Sequence, residues 1–238
     1  MGRLDGRLTL ITGASRGLGA ALAERFAQEG ARLILIARTS GGLEEVDDRV
    51  RAFGGEATLV PQDLTRGDAI DELGAVIAER FGRLDVLIGN AAELSTLSPL
   101  AHTDPATFQQ TLATNMVTNF RLIRSLDPLL RASPAGSAVF VTSDVGKDPK
   151  AYFGAYAASK AALESLAMTY AAETARTNLR VNLVDPGPMR THLRSKAYPG
   201  EDKEKLAWPK DRTDMFVDLA EAGCRHHGER LQAPDLAR

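Results

Sequence analysis

Residues 8–19 read LTLITGASRGLG. The first five are apolar or β-branched with no polar alternation, the pattern of a strand buried on both faces. "GLGAALAERFAQEG" (17–30) then places Leu18, Leu22 and Phe26 on one face of a helix. Between the two lies "TGASRGLG", with glycines at 13, 17 and 19. Gly13 permits a tight turn, Gly17 a close approach of backbone to a ligand, and Gly19 close helix–sheet packing. The amides at the helix N-terminus then face a pyrophosphate. The spacing G-x-x-x-G-x-G is neither the P-loop, which needs Gly-Lys-Ser/Thr, nor G-x-G-x-x-G. Read alone, three glycines at such a junction also fit ordinary turn chemistry.

Outward from this unit, short β-rich runs keep alternating with helical patterns. Strands are expected at 32–37 (RLILIA), 56–63, 83–90, 137–143 (SAVFVTS), 179–187 and 229–233. Helices are expected at 43–53, at about 70–81 from Ile70, Leu73, Ile77 and Phe81, through Phe108–Ile123, at 152–176 and at 213–225. Apolar strands alternating with helices point to a doubly wound, Rossmann-like α/β fold. Its sheet is mostly parallel, has about seven strands and carries helices on both faces. One domain over 1–238 is the simplest organisation. The charged, Pro/Gly-punctuated segment 190–212 reads as a long loop with one short helix, a substrate loop or lid.

Composition narrows the function. The chain has 238 residues, 44% hydrophobic and 25% charged, enough to bury a substantial core. A net charge of −2 offers no reason to expect nucleic acid or an anionic membrane as partner. Cys224 is the single cysteine and cannot form an intrachain disulfide. No apolar run reaches membrane-spanning length, and the start "MGRLDGRLTLITG" lacks the apolar core of a signal peptide. A cytoplasmic protein is the expectation.

The end of the second strand bears on the cofactor. An NAD-preferring site places a carboxylate there for the ribose 2′-hydroxyl, about 20 residues past the glycine turn. Here the chain runs Ala37, then Arg38. A guanidinium suits a 2′-phosphate, and Arg16 in the glycine turn could reach the same group. This predicts NADP(H) over NAD(H); the alternative is two solvated arginines.

"FGAYAASKAALESLA" (153–167) sets Tyr156 and Lys160 four apart on a helix otherwise small and apolar. Residues at i and i+4 are neighbours, so the pair is two surface side chains that meet, or an acid and the cation that lowers its pKa. Bringing a phenol from about 10 toward 7 requires stabilising the phenolate by roughly 4 kcal/mol. A nearby ammonium, helped by an oxidised nicotinamide, has the right sign of charge. Ser143, at the carboxyl end of strand five, could hydrogen-bond a substrate oxygen there.

Taken in order, "TGASRGLG", Asp63, "GNAA" (89–92), Asn115, Ser143, "YAASK" (156–160) and "PGPMRT" (186–191) resemble the short-chain dehydrogenase/reductase family over about residues 5–191. The resemblance implies that Tyr156 is the acid/base acting on a carbonyl or alcohol. It implies that Lys160 lowers the tyrosine's pKa and binds the nicotinamide ribose, that Ser143 positions the substrate, and that Asn115 holds a water in the proton relay. Asp63 would touch adenine, with Leu64 beside it. Ser15 and Leu18 would join the glycine turn, Asn90, Ala91 and Ala92 would line the cofactor, and Pro186, Gly187 and Thr191 would border the nicotinamide. The family's oligomers suggest a homodimer or homotetramer with the alanine-rich helix at its interface.

Taken singly, Ser143 could cap a strand end, Asn115 satisfy a nearby backbone group and Asp63 cap a turn. Tyr152 is expected to line the substrate pocket, and Asp144 to face solvent. Gly89 stands where the family carries Asn, and Ala92 where it carries Gly, tolerable only if φ is negative there. The C-terminus lacks the family's Asp-Gly-Gly, which bears on tetramer assembly. Adjacent His226 and His227 do not form a metal site. The expected function is hydride transfer between NADP(H) and a small carbonyl or alcohol. The rivals are a catalytically silent NADP(H)-binding sensor, and an epimerase or dehydratase, which usually needs a larger substrate domain.

Overall fold

The structure is a computed structural model and describes residues 2–233. Seven strands, β1 (Leu8–Thr12), β2 (Arg32–Ala37), β3 (Glu56–Pro61), β4 (Val86–Gly89), β5 (Ser137–Val141), β6 (Arg180–Asp185) and β7 (Arg230–Gln232), form one sheet in the order 3-2-1-4-5-6-7. Every pairing is parallel, with β1 Leu10 opposite Ile34 on one side and Leu87 on the other. The doubly wound fold expected from the apolar strands is therefore present.

The two layers of helix follow from strand alternation. Ile11, Leu33, Leu35, Ile88 and Val139 meet Leu22 and Phe26 of α1 (Gly17–Gln28), Leu43 and Val46 of α2 (Ser40–Ala52) and Phe216 of the late helix α9 (Asp214–Ala220). Their neighbours Leu10, Ile34, Ile36, Leu87 and Phe140 face the other way. They pack on Ile70 and Leu73 of α3 (Gly67–Phe81), Leu122 and Leu126 of α5 (Thr118–Ala132), and Leu163 and Tyr170 of α7 (Gly154–Thr174). Burying each such side chain stabilises by about 1.5–3 kcal/mol, which is why these faces fix the layers.

Between β4 and α5 the chain passes through α4 (Pro105–Leu112), capped by Asp104 accepting from the Thr107 amide at 2.8 Å, and then one π turn, Ala113–Val117. Wide turns of this kind release backbone groups, and they gather at functional sites. After β5 a single turn, α6 (Asp144–Lys147), precedes α7.

The segment 190–212 is more ordered than its composition suggests. It holds α8 (His192–Ala197) and two 3₁₀ turns, Lys203–Lys205 and Pro209–Arg212. Thr191 caps α8, accepting from the Arg194 amide at 3.2 Å. Arg190 ties the ends together: its Nε donates to the Leu206 carbonyl, and its guanidinium stacks 4.5 Å from the Trp208 ring. Charged side chains hid these contacts because they are made to backbone and aromatic partners, without helical period. The last helix is shorter than the expected 213–225, and the end of the C-terminal segment, 234–238, lies outside the described residues.

Candidate active site

The strand order reverses between β1 and β4, which opens a crevice at the carboxyl ends of the strands. Thr12 closes the base of it. Its hydroxyl donates to the Ile88 carbonyl and accepts the amides of Asn90 and Ala91, each at 3.0 Å. The Asn90 amide group returns a bond to Thr12 O at 2.9 Å. Thr12 was not singled out from sequence, although it opens the glycine motif.

The glycine turn has the shape its sequence requires. Gly13 and Gly17 have φ of +66° and +58°, where an L side chain is strained. A Cβ on Gly19 would lie 2.2 Å from the Gly13 carbonyl oxygen, and one on Gly17 would rest 3.5 Å from the Thr191 methyl. This is a cradle that leaves room only for backbone, beside the α1 N-terminus, and it fits a dinucleotide pyrophosphate. Gly19→Ala is therefore expected to weaken NADPH binding by more than about tenfold, measured by fluorescence titration, while the far-UV circular dichroism is retained. Ser15 and Leu18 lie in the same turn, Leu18 buried.

Arg16 and Arg38 are both exposed, Arg38 just beyond β2. Asp63 follows β3, where its Oδ1 accepts from the Thr65 amide at 3.0 Å and hydroxyl at 2.8 Å. These bonds, and then the charge of Arg38, hold its carboxyl below the usual range. Asp63 thus caps a turn, and that turn brings it near Arg38. Leu64 is buried, and its carbonyl accepts from Thr118 in α5.

Gly89 differs from the family residue for a steric reason. A Cβ there would lie 2.4 Å from Asn119 Oδ1 and 2.6 Å from the ring of Phe140, its partner on β5. Those two side chains occupy the space an Asn at 89 would take. Ala92 needs no special backbone, because Tyr152 is the only non-glycine residue with positive φ among those described.

On α7, Tyr156 and Lys160 are both buried, and the Lys160 Nζ lies 5.7 Å from the Tyr156 ring centroid. They share a face, as the spacing predicts. Burial pushes the Tyr156 phenol up, its hydrogen bond with Ser143 pulls it down, and the charges of Asp185 and Asp144 push it up again. Burial also pushes Lys160 down to about 8, against the pull of Glu164 and Asp185. Its ammonium donates to the Val141 carbonyl at 2.8 Å. Burial is the largest of these, so the protein by itself holds the phenol above its ordinary value.

Ser143 sits two residues past β5 as the N-cap of α6, not in the strand. Its hydroxyl donates to Asp144 Oδ1 at 2.9 Å, and Lys150 pairs with the same carboxylate. Asp144 faces solvent, as expected, with 52% of its side chain exposed, while its carboxylate bonds Ser143 and Lys150.

Asn115 lies in the π turn and is fully buried. Its amide group donates to Glu93 O at 3.0 Å and Ser159 Oγ at 2.9 Å, while its Oδ1 accepts from the Glu93 amide at 2.7 Å. With both N–H bonds spent, the side chain clamps the loop after β4 to α7. Both side-chain N–H groups are engaged within the protein, so a water held here would meet an oxygen of Asn115.

A third apolar cluster surrounds Tyr156: Leu94, Val145, Phe153, Ala157 and Ala197, with Leu97, Leu193 and Tyr198 partly buried. Phe153 and Tyr198 stack at 5.8 Å. Tyr152, expected in this wall, is 61% exposed, and the neighbouring Phe153 takes the inward place. Across the crevice, Gly187 has φ +69° and its amide donates to Asp185 Oδ1 at 3.0 Å, which shapes the Pro186–Gly187 turn ahead of Thr191.

A family model described as short chain dehydrogenase matches residues 7–202. The chain belongs to the short-chain dehydrogenase/reductase family. It is 36% identical over 219 residues to the oxidoreductase YciK of Escherichia coli, covering 91% of this chain and 86% of that one. It is 33% identical over 234 residues to the A-factor type gamma-butyrolactone 1'-reductase of Streptomyces virginiae, covering 96% and 91%. Among solved structures, a short chain dehydrogenase from Pseudomonas syringae superposes with a TM-score of 0.94 at 36% identity, covering 97% and 96% of the two chains. One from Escherichia coli, complexed with NADPH, gives 0.90 at 35%, covering 96% and 97%. This short-chain dehydrogenase/reductase is an oxidoreductase acting on carbonyl or alcohol groups, and the family's cofactor is a nicotinamide dinucleotide.

The His227 ring is tied to the backbone of α7 and β6. His227 Nε2 contacts the Ala171 carbonyl at 2.8 Å, and its Nδ1 accepts from the Val181 amide at 3.3 Å. No group of three or more His, Cys, Asp or Glu able to hold a metal occurs among the described residues, and no helix among them is long and apolar enough to cross a membrane.

Proposed function

We propose that the chain is an NADP(H)-dependent carbonyl reductase or alcohol dehydrogenase with Tyr156 as proton donor and acceptor. The observation that carries this is a buried phenol in an apolar wall, with the Lys160 ammonium 5.7 Å from its ring. When bound, the reduced nicotinamide supplies the hydride. The chain's own residues do the rest. Gly13, Ser15, Gly17, Leu18 and Gly19 hold the pyrophosphate, and Arg16 and Arg38 select the 2′-phosphate. Asp63 and Leu64 border adenine. Asn90, Ala91 and Ala92 line the middle of the crevice, and Pro186, Gly187 and Thr191 its nicotinamide end. The Ser143 hydroxyl turns from Asp144 to hydrogen-bond the substrate oxygen while Tyr156 protonates it, and the Leu94–Phe153 cluster excludes water. Lys160, whose ammonium burial pushes down to about 8, sets the field at the phenol and holds the ribose. Asn115 supports the site as the clamp already described.

The NADPH complex of a structural relative supports the choice of cofactor. Exposed Phe120 on α5 and Met168 on α7 support self-association through these helices. We infer a cytoplasmic enzyme built as one catalytic unit over 1–238. The deciding experiment follows NADPH absorbance with a panel of aliphatic, aromatic and lactone carbonyls. Turnover supports the reading; NADPH binding without turnover of any carbonyl would favour a sensor.

A further inference from the structure

The C-terminal strand, where the chain departs most from its family's pattern, sends one side chain into the site. Arg230 is the first residue of β7 and pairs in register with Leu183 of β6. Its Nε donates to Glu164 Oε1 at 3.0 Å, and its Nη2 to the Ser143 carbonyl at 3.2 Å and to Asp185 Oδ2 at 3.3 Å. Each partner leads to a different part of the site. The first lies one helical turn beyond Lys160 and also accepts from the Thr142 hydroxyl at 2.6 Å. The second belongs to the serine beside the phenol. The third holds the Gly187 amide through its other oxygen.

We propose that Arg230 is a positioning residue: from the last strand, one guanidinium fixes the Ser143 backbone, orients the Asp185 carboxylate under the Gly187 turn, and neutralises the two anions that face Lys160. The proposal deepens the oxidoreductase reading and rests on it for its catalytic consequence. The mechanism is charge balance. Lys160 is buried; the titratable Tyr156 phenol shares its helix face, and the charged groups around it are Glu164 on its own helix, Asp185 at the end of β6 and Arg230 on β7. Of the other elements packed on α7, α6 carries Asp144, paired with Lys150, and Lys147, while α4 and the π turn carry no ionisable side chain. With Arg230 in place, the two carboxylates are shared between two cations. Without it, both act on Lys160 alone and favour its charged form.

Two substitutions therefore have opposite signs. Arg230→Leu should raise the pH at which Lys160 loses its proton, by about half a unit or more, and Glu164→Gln should lower it by a similar amount. The measurement is a pH titration of the side-chain nitrogen of Lys160 in ¹⁵N-lysine-labelled full-length protein, assigned with Lys160→Met; it needs neither cofactor nor turnover. Arg230→Lys keeps the cation and should restore the wild-type midpoint. In the presence of NADPH and a reducible carbonyl, Arg230→Leu should lower kcat roughly ten- to hundredfold through the displaced Ser143, with KM changed less. The limb of the pH profile should move with the NMR midpoint. If Arg230 merely staples β7 in place, both neutralising variants admit water to Lys160 and both raise its midpoint. A Glu164→Gln midpoint that rises or stays put overturns the proposal, even if Arg230→Leu proves unfolded. Absence of turnover in the wild type would count against the oxidoreductase reading, while the nitrogen titration would still decide the role of Arg230.

Discussion

Tyr156→Phe is expected to lower carbonyl turnover by roughly two to four orders of magnitude while NADPH still binds with near wild-type affinity. The substitution removes one oxygen and keeps the ring, which packs among Leu94, Val145 and Phe153. The fold and the cradle at the glycine turn are therefore undisturbed. What is lost is the phenolic proton held in this apolar wall beside Lys160. Steady-state rates with a reducible carbonyl, set beside NADPH titration of the same variant, measure both halves. Retained turnover would mean that the proton comes from another group. The neutral state of the phenol gives the prediction its direction. Burial holds Tyr156 above its usual pKa, so the protonated form is available across the neutral range. A loss confined to high pH would contradict that placement.

Arg38→Asp is expected to weaken NADPH roughly a hundredfold and NADH much less, reversing the preference between them. A hydrogen bond to a charged group contributes about 1.5–3 kcal/mol, and each 1.4 kcal/mol is about tenfold in affinity. The new carboxylate adds repulsion against a 2′-phosphate, while it can accept from a 2′-hydroxyl. Because Asp63 lies within the field of Arg38, the variant also sets two carboxylates near each other. Arg38→Gln removes the cation without adding that anion and should show the same sign with a smaller ratio. Dissociation constants for both dinucleotides check this at fixed salt, and equal losses would reject the 2′-phosphate assignment.

Much of the protein could be read in its linear order, for a local reason. Strand and helix periods are set by neighbours within a few residues, so LTLIT, RLILIA and the Leu18–Leu22–Phe26 stripe announced the layers before any contact was known. The glycines at 13, 17 and 19 were legible because backbone conformation and steric room restrict those positions to a residue without Cβ. The shared face of Tyr156 and Lys160 was legible because it is a property of one helix.

What only the tertiary structure decided involves groups far apart in the chain. Which side chain fills the room at Gly89 depends on Phe140 and Asn119, brought there by strand pairing and by α5. Asn115 spends its amide on Glu93 and Ser159, contacts that no spacing rule relates. The protonation of Tyr156 and Lys160 follows from how deeply each is buried, and burial belongs to the assembled layers. Arg230 reaches Ser143 and Glu164 across 87 and 66 residues of chain. Sequence alone determined which chemical groups are present and which helix or strand carries them. Packing determined their charge, because the free energy of an ion depends on the solvent and counter-charges around it, and those are set only when distant segments meet.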